Sequence, residues 1–141
     1  MGEVIRAAAA VLCDREGRAL LVHQSGGQHR WGLPGDAALR ELRRETSLEA
    51  RVVDLIGLYT LCGQLPGDEE ELPDLLTYAF RCELVTGEPV LNGVGRIDDL
   101  GWYATDALPE PVTTTAAAAL ADCAGSRSGV VRTLTREGAR A

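Results

Sequence analysis

The stretch that decides the fold runs from Trp31 to Leu48, WGLPGDAALRELRRETSL. Trp31-Gly32-Leu33-Pro34-Gly35 is a short apolar run closed by Pro-Gly, which predicts a strand entering a tight turn. Asp36 stands at an N-cap position, and neither proline nor glycine follows it before Leu48. Ala37 to Thr46 are almost all good helix formers, so a helix is expected there. Leu39, Leu42 and Thr46 fall on one face of it. Glu41 and Glu45 fall on another, one turn apart, so that their carboxylates can converge. Arg40 and Arg44 form a second pair at the same spacing beside them. Two carboxylates at the start of a cleft could hold a hard cation such as Mg²⁺. An amphipathic helix with a solvated Arg/Glu face satisfies the same spacing.

The order of these residues resembles the signature of the Nudix (MutT-type) hydrolase superfamily, G-x5-E-x7-R-E-U-x-E-E-x-G-U, where U is a bulky aliphatic. Arg40, Glu41 and Leu42 match R-E-U. Glu45 matches the second glutamate of E-E, Leu48 the final U, and Gly35 the glycine turn that opens the signature. The resemblance implies helix glutamates that bind a divalent metal, Mg²⁺ or Mn²⁺, and an arginine that orients them through a salt bridge. It also implies attack by water on a diphosphate joined to another moiety. Glu41 and Glu45 are thus the expected catalytic residues and metal ligands. Arg40, Arg44 and Arg96 are the expected substrate-binding residues.

The chain departs from that pattern. Arg44 stands where the first glutamate of E-E belongs, and Ser47 replaces the glycine after the helix. The segment between Gly35 and Arg40 is about ten residues shorter than the signature. The lost segment is the loop that carries the glutamate of G-x5-E, and no residue here matches it. The signature is shortened and degenerate, and its metal site is expected to be impaired.

Length and composition bound the rest. A chain of 141 residues makes one domain with a real core. Charged residues at 25% and hydrophobic residues at 45% are ordinary for a globular protein. The net charge of −7 argues against a general nucleic-acid binder. No apolar run approaches membrane-spanning length, and MGEVIR lacks the apolar stretch of a signal peptide. A cytoplasmic protein that binds neither nucleic acid nor membrane is expected. Cys13, Cys62, Cys82 and Cys123 are widely spaced, each within an apolar stretch, which reads as buried free thiols.

Upstream, Val4 to Cys13 reads as a strand, although alanine at Ala7 to Ala10 favours helix. Asp14 to Arg18 is a polar turn, and Ala19 to His23 is the partner strand of a hairpin. This opening also resembles that of a Nudix domain. His23 and His29 flank the loop that follows, and each could touch a substrate.

Downstream, Ala50 to Tyr59 is strand-rich, and Gly63 to Asp74 is a polar loop. Glu69, Glu70 and Glu71 in that loop could offer a metal an outside carboxylate, or simply be solvated. Leu75 to Leu84 is the strongest strand, with Tyr78 and Phe80 on one face, and Gly87-Glu88-Pro89 turns the chain. Ile97 to Tyr103 and then Ala107-Leu108-Pro109 resemble the late Nudix segment, a strand ending in an aromatic pair followed by a short helix. Many members carry a glutamate before that isoleucine; here the place is held by Arg96. Thr113 to Cys123 reads as an N-capped, alanine-rich helix that can pack closely on a sheet. Residues 126–141 are expected to form a partly ordered tail with a short strand at Val130 to Thr133.

The expected architecture is therefore a Nudix-type α/β/α sandwich with a mixed central sheet, one Nudix-like domain over residues 1–141. Three functions remain open. The first is hydrolysis of a nucleoside diphosphate or related diphosphate compound, with Mg²⁺ held by Glu41 and Glu45. The second is a repurposed fold that acts on or binds an anionic small molecule without metal, with Arg44 in the cation's place. The third is a non-catalytic Nudix-like domain. The sequence leaves a homodimer open.

Overall fold

The computed structural model describes residues 4–24, 30–35, 39–40, 43, 48–63, 72–88 and 97–136. Among these described residues, seven strands form one mixed sheet. They are β1 (Val4–Cys13), β2 (Ala19–Gln24), β3 (Trp31–Gly32), β4 (Glu49–Cys62), β5 (Asp74–Thr86), β6 (Ile97–Tyr103) and β7 (Val130–Thr135). The order is β3-β2-β1-β5-β4-β7, with β6 on β2. β1 with β5 and β4 with β7 are parallel, and the remaining pairs are antiparallel.

The alanine run is strand. Ala7 to Ala10 pair in register with Thr77 to Phe80, so a central place in the sheet overrides alanine's helical preference. The β1–β2 hairpin is shallower than its sequence suggests. Cys13 pairs with Ala19, after which β2 takes β6 along its length and β1 takes β5.

The pleat separates two cores. Val11, Ala19, Leu21 and Ala79 belong to a buried cluster completed by Ala119 and Leu120 of the C-terminal helix. Ala10, Leu12, Leu20 and Cys82 belong to the other cluster, together with Leu48. Ile56 and Tyr59 both join the first cluster although their spacing is odd. A register shift between Leu55 and Gly57 makes this possible, because a bulge turns one extra residue over.

The C-terminal helix spans Thr114–Ala124, and Thr113 caps it by accepting from the Ala116 N–H. Ala116, Ala119 and Leu120 are buried in one stripe against the sheet. The segment at Ala107 is one turn, Ala107 N–H to the Ala104 carbonyl at 3.0 Å, rather than the short helix expected. Past the helix, β7 runs to Thr135 and adds to β4. Cys82 is buried as expected, but Cys13, Cys62 and Cys123 are only half-buried, since each lies near the end of its element. No described helix is long and apolar enough to cross a membrane.

Candidate functional site

The stretch that opens the site is tied to the fold from three directions. Val22 and His23 of β2 pair with Gly32 and Trp31. On the other side, the Trp31 N–H donates to the Pro111 carbonyl and the Thr113 N–H donates to the Trp31 carbonyl, both at 2.8 Å. A side chain at position 32 would press on Thr113, whose Cγ2 lies 3.4 Å from where a Cβ would stand. Further on, the Ala10 N–H donates to the Pro34 carbonyl at 3.0 Å, and Gly35 bridges Ala9. The expected strand at Trp31–Gly35 is therefore a two-residue strand followed by a separate bridge to β1.

The helix follows at once. The Leu39 N–H donates to the Gly35 carbonyl at 3.0 Å, the span of one helical turn. Leu39, Arg40 and Arg43 are helical. Asp36, Ala37 and Ala38 are all that separates Gly35 from Leu39, so the long loop of a full signature has no counterpart. Leu39 packs against the cluster that contains the buried Leu48, which anchors the segment at both ends on one face of the sheet. Arg40 and Arg43 are exposed.

The carboxylates expected to hold metal, Glu41 and Glu45, lie outside the described residues, as do Leu42, Arg44, Arg96, His29 and Glu69 to Glu71. Among the described residues, no group of three or more His, Cys, Asp or Glu side chains is placed to hold a metal ion. The donor chemistry still fits Mg²⁺. That ion commonly takes one or two protein carboxylates and fills its shell with water and substrate phosphates.

His23 has company that its sequence context did not reveal. Its Nδ1 lies 2.6 Å from Asp98 Oδ1. Its ring meets Trp31 edge-on at 5.2 Å, and Trp31 meets Tyr103 edge-on at 5.3 Å. β2 and β6 run antiparallel with a register shift at His23/Gln24, which brings Asp98 onto His23. The paired acids Asp98-Asp99 opposite a strand-end histidine were the available signal. An aspartate on Nδ1 fixes the imidazole's orientation, an arrangement suited to proton transfer. Burial, then the charge of Asp99, pushes the Tyr103 hydroxyl pKa up and keeps it protonated. Trp31 and Tyr103 pack on the cluster beneath the C-terminal helix, whereas Leu39 packs on the other.

Comparison with known proteins agrees with this architecture. The fold is similar to that of a MutT NUDIX hydrolase from Burkholderia pseudomallei, with a TM-score of 0.66 and 23% identity over 85% of this chain and 98% of that one. It is similar to a mutator MutT protein from Bacillus halodurans, with a TM-score of 0.67 and 19% identity over 94% of this chain and 90% of that one. An ADP-ribose pyrophosphatase from Streptococcus suis gives a TM-score of 0.59 and 21% identity over 93% of this chain and 98% of that one. No curated protein sequence matches significantly. The model of the NUDIX domain matches residues 4–123, from β1 to the last turn of the C-terminal helix, and the chain belongs to that family.

Proposed function

We propose that this protein is a Nudix hydrolase of a nucleoside diphosphate joined to another group, or of a related diphosphate compound, with a weakened metal site. One observation carries the reading. The Leu39 N–H closes a helical turn on the Gly35 carbonyl, and Leu39 and Leu48 dock the two ends of the signature segment on one cluster, inside a domain of the NUDIX family. Among structures of similar fold are one described as a UDP-X diphosphatase and one as an ADP-ribose pyrophosphatase. Glu41 and Glu45 would hold Mg²⁺ or Mn²⁺, and Arg40, Arg44 and Arg96 would bind the substrate's phosphates. The chemistry supplied by the bound ion is polarisation of the diphosphate toward attack by water. The protein works as one cytoplasmic domain over residues 1–141, on a small anionic substrate rather than on nucleic acid or membrane.

The test is hydrolysis of ADP-ribose and of UDP-sugars under rising Mn²⁺. Slow release of nucleoside monophosphate that climbs with metal, and its loss in Glu45→Gln, is the expected result. Turnover that ignores both metal and Glu45→Gln would overturn the reading.

A second reading has one observation in its favour: Arg40 and Arg43, the described cations of the helix, are both exposed. Beside Arg44 they would suit an anionic ligand held without metal. Binding of ADP-ribose that is unaffected by chelator, with no product formed, is its signature.

A further inference from the structure

β7 is the last strand of the sheet. It pairs with β4 on one side and, among the described residues, with nothing on the other. An open edge strand carries a row of unpaired N–H and C=O groups, and proteins guard such edges with proline, bulges or charge. β7 lacks these guards. VVRTLT contains no proline. Its pairing with β4 runs without a register shift from Val130↔Gly57 to Thr135↔Cys62.

The charges around the strand are bound within the chain. Arg132 is the only charged residue in it, and its Nε and Nη2 donate to the buried Asp122 at 2.6 and 2.5 Å. Before the strand, Arg127 Nη1 donates to the same carboxylate at 3.1 Å. After it, Arg136 donates to the Gly63 and Pro73 carbonyls at 2.6 and 2.5 Å. The side chains left uncovered are neutral. Val131 is 75% exposed, more than any other large hydrophobic residue described. Thr133 and Thr135, on the same face, are exposed too. Val131 also continues a row across the sheet through Leu58, Tyr78 and Ala8, none of them charged.

The strand's own sequence selects the partner. Two antiparallel copies of β7 about a two-fold axis pair residues whose numbers sum to a constant. Opposed side chains share a face, so that constant is even. With Thr133 at the axis, Thr133 meets its own copy, Val131 meets Thr135, and Arg132 meets Leu134. Threonine pairs and β-branched pairs across strands are favourable. With Arg132 at the axis, two guanidiniums would face each other, which is not. β7 is thus complementary to itself in a central register. An edge without exposed charge is also where two chains of net charge −7 can meet, because charges farther off than a Debye length are screened.

We propose that β7 is a homodimerisation edge, where two chains pair antiparallel about Thr133 and their sheets join into one. The contact uses the same surface on both chains, so it closes at a dimer. β7 lies past residues 4–123, which the family model matches, so the contact is separate in sequence from the signature.

Sedimentation equilibrium of the full-length protein over a range of concentrations tests this. The wild type should show a reversible monomer–dimer equilibrium. Thr133→Lys sets two ammonium groups against each other and should weaken the dimer by about tenfold or more, with the circular dichroism unchanged. Cross-linking reads the register. Under mild oxidation, Thr133→Cys chains should join to each other at position 133, as located by peptide mass spectrometry, because facing Cβ atoms lie about 5 Å apart. Val131→Cys should join far more slowly to itself than to Thr135→Cys in a mixture of the two. A wild type that stays monomeric at every concentration, or that polymerises without end, overturns the proposal. So does a dimer that Thr133→Lys leaves intact, or one in which Thr133→Cys fails to cross-link. If Thr133→Lys folds poorly, the wild-type masses and the cross-links decide the matter.

Discussion

Tyr59 and Asp122 meet beneath the C-terminal helix, where the tyrosine hydroxyl donates to Asp122 Oδ2 at 2.8 Å and both side chains are fully buried. The same carboxylate accepts from Arg132 Nε at 2.6 Å and Nη2 at 2.5 Å, and from Arg127 Nη1 at 3.1 Å. A buried carboxylate persists only where donors converge on it. Here β4, β7 and the turn after the helix each supply one, so Asp122 locks the helix and the last strand to the sheet.

Asp122 should make the fold acid-sensitive. Hydrogen bonds from Arg132, then from Tyr59, outweigh burial and lower its pKa from 3.8 to about 2. An acid whose pKa is depressed by folding adds stability above its unfolded value, and that stability is lost as pH falls through the folded one. The contribution is thus complete above about pH 5 and gone at about pH 1, and it amounts to about 2 kcal/mol. Urea unfolding of the wild type and of Asp122→Asn tests this. Asp122→Asn should be the weaker at neutral pH, and the gap should narrow steadily as the solution is acidified toward pH 2.

Gly57 should tolerate no side chain. A Cβ there would lie 2.4 Å from Val130 Cγ2 and 2.7 Å from the Val130 carbonyl oxygen. Gly57 ends the bulge in β4 and pairs with Val130 at the start of β7. Gly57→Ala should therefore cost about 1–3 kcal/mol, as overpacking does. The loss should appear first as faster amide exchange along Val130 to Thr135. Unchanged protection of β7 would show that the backbone yields instead.

Much of this fold was readable because its signals are local. The turn at Pro34-Gly35, the helix-forming run after it, the Thr113 cap and the apolar strands each stand in a few neighbouring residues. What was not readable depends on distant partners. Nothing around Ala7 to Ala10 announces a parallel neighbour at Thr77 to Phe80, and nothing before Ile56 announces a bulge. Asp122 lies in an alanine-rich helix, and its partner Arg132 comes from β7, ten residues on. At the site, the spacing of Glu41 and Glu45 pointed to metal chemistry, and His23 stood out as a candidate. Its partner Asp98 did not, because the register of β2 against β6 decides that meeting.

Thr113 should matter more than its exposed neighbours. Its hydroxyl accepts from the Ala116 N–H at 3.2 Å, and its own N–H is taken by Trp31. Thr113→Ala keeps the second contact and removes the first, at a cost of about 1 kcal/mol. Thr113→Ser should restore most of it. Thermal unfolding of the three proteins checks the order, and an alanine variant as stable as the wild type would mean that water caps the helix equally well.

Arg44 should govern how well this signature can hold metal. It stands where a carboxylate belongs, between Glu41 and Glu45 in sequence. A guanidinium next to a carboxylate competes with a cation for the same oxygens. At an effective dielectric of about 20, unit charges about 4 Å apart interact by about 4 kcal/mol, and repulsion of a divalent ion is of that order or larger before relaxation. The segment that would carry a further glutamate of the signature is also missing from the sequence. Mg²⁺ should therefore bind the wild type weakly, and Mg²⁺-dependent hydrolysis of common nucleoside diphosphate compounds should be slight. Arg44→Glu should raise Mg²⁺ and Mn²⁺ affinity whether or not turnover improves. Calorimetric titration of both proteins settles the point. Tight Mg²⁺ binding by the wild type, unchanged in Arg44→Glu, would mean that Arg44 points away from the carboxylates and that the impairment lies elsewhere.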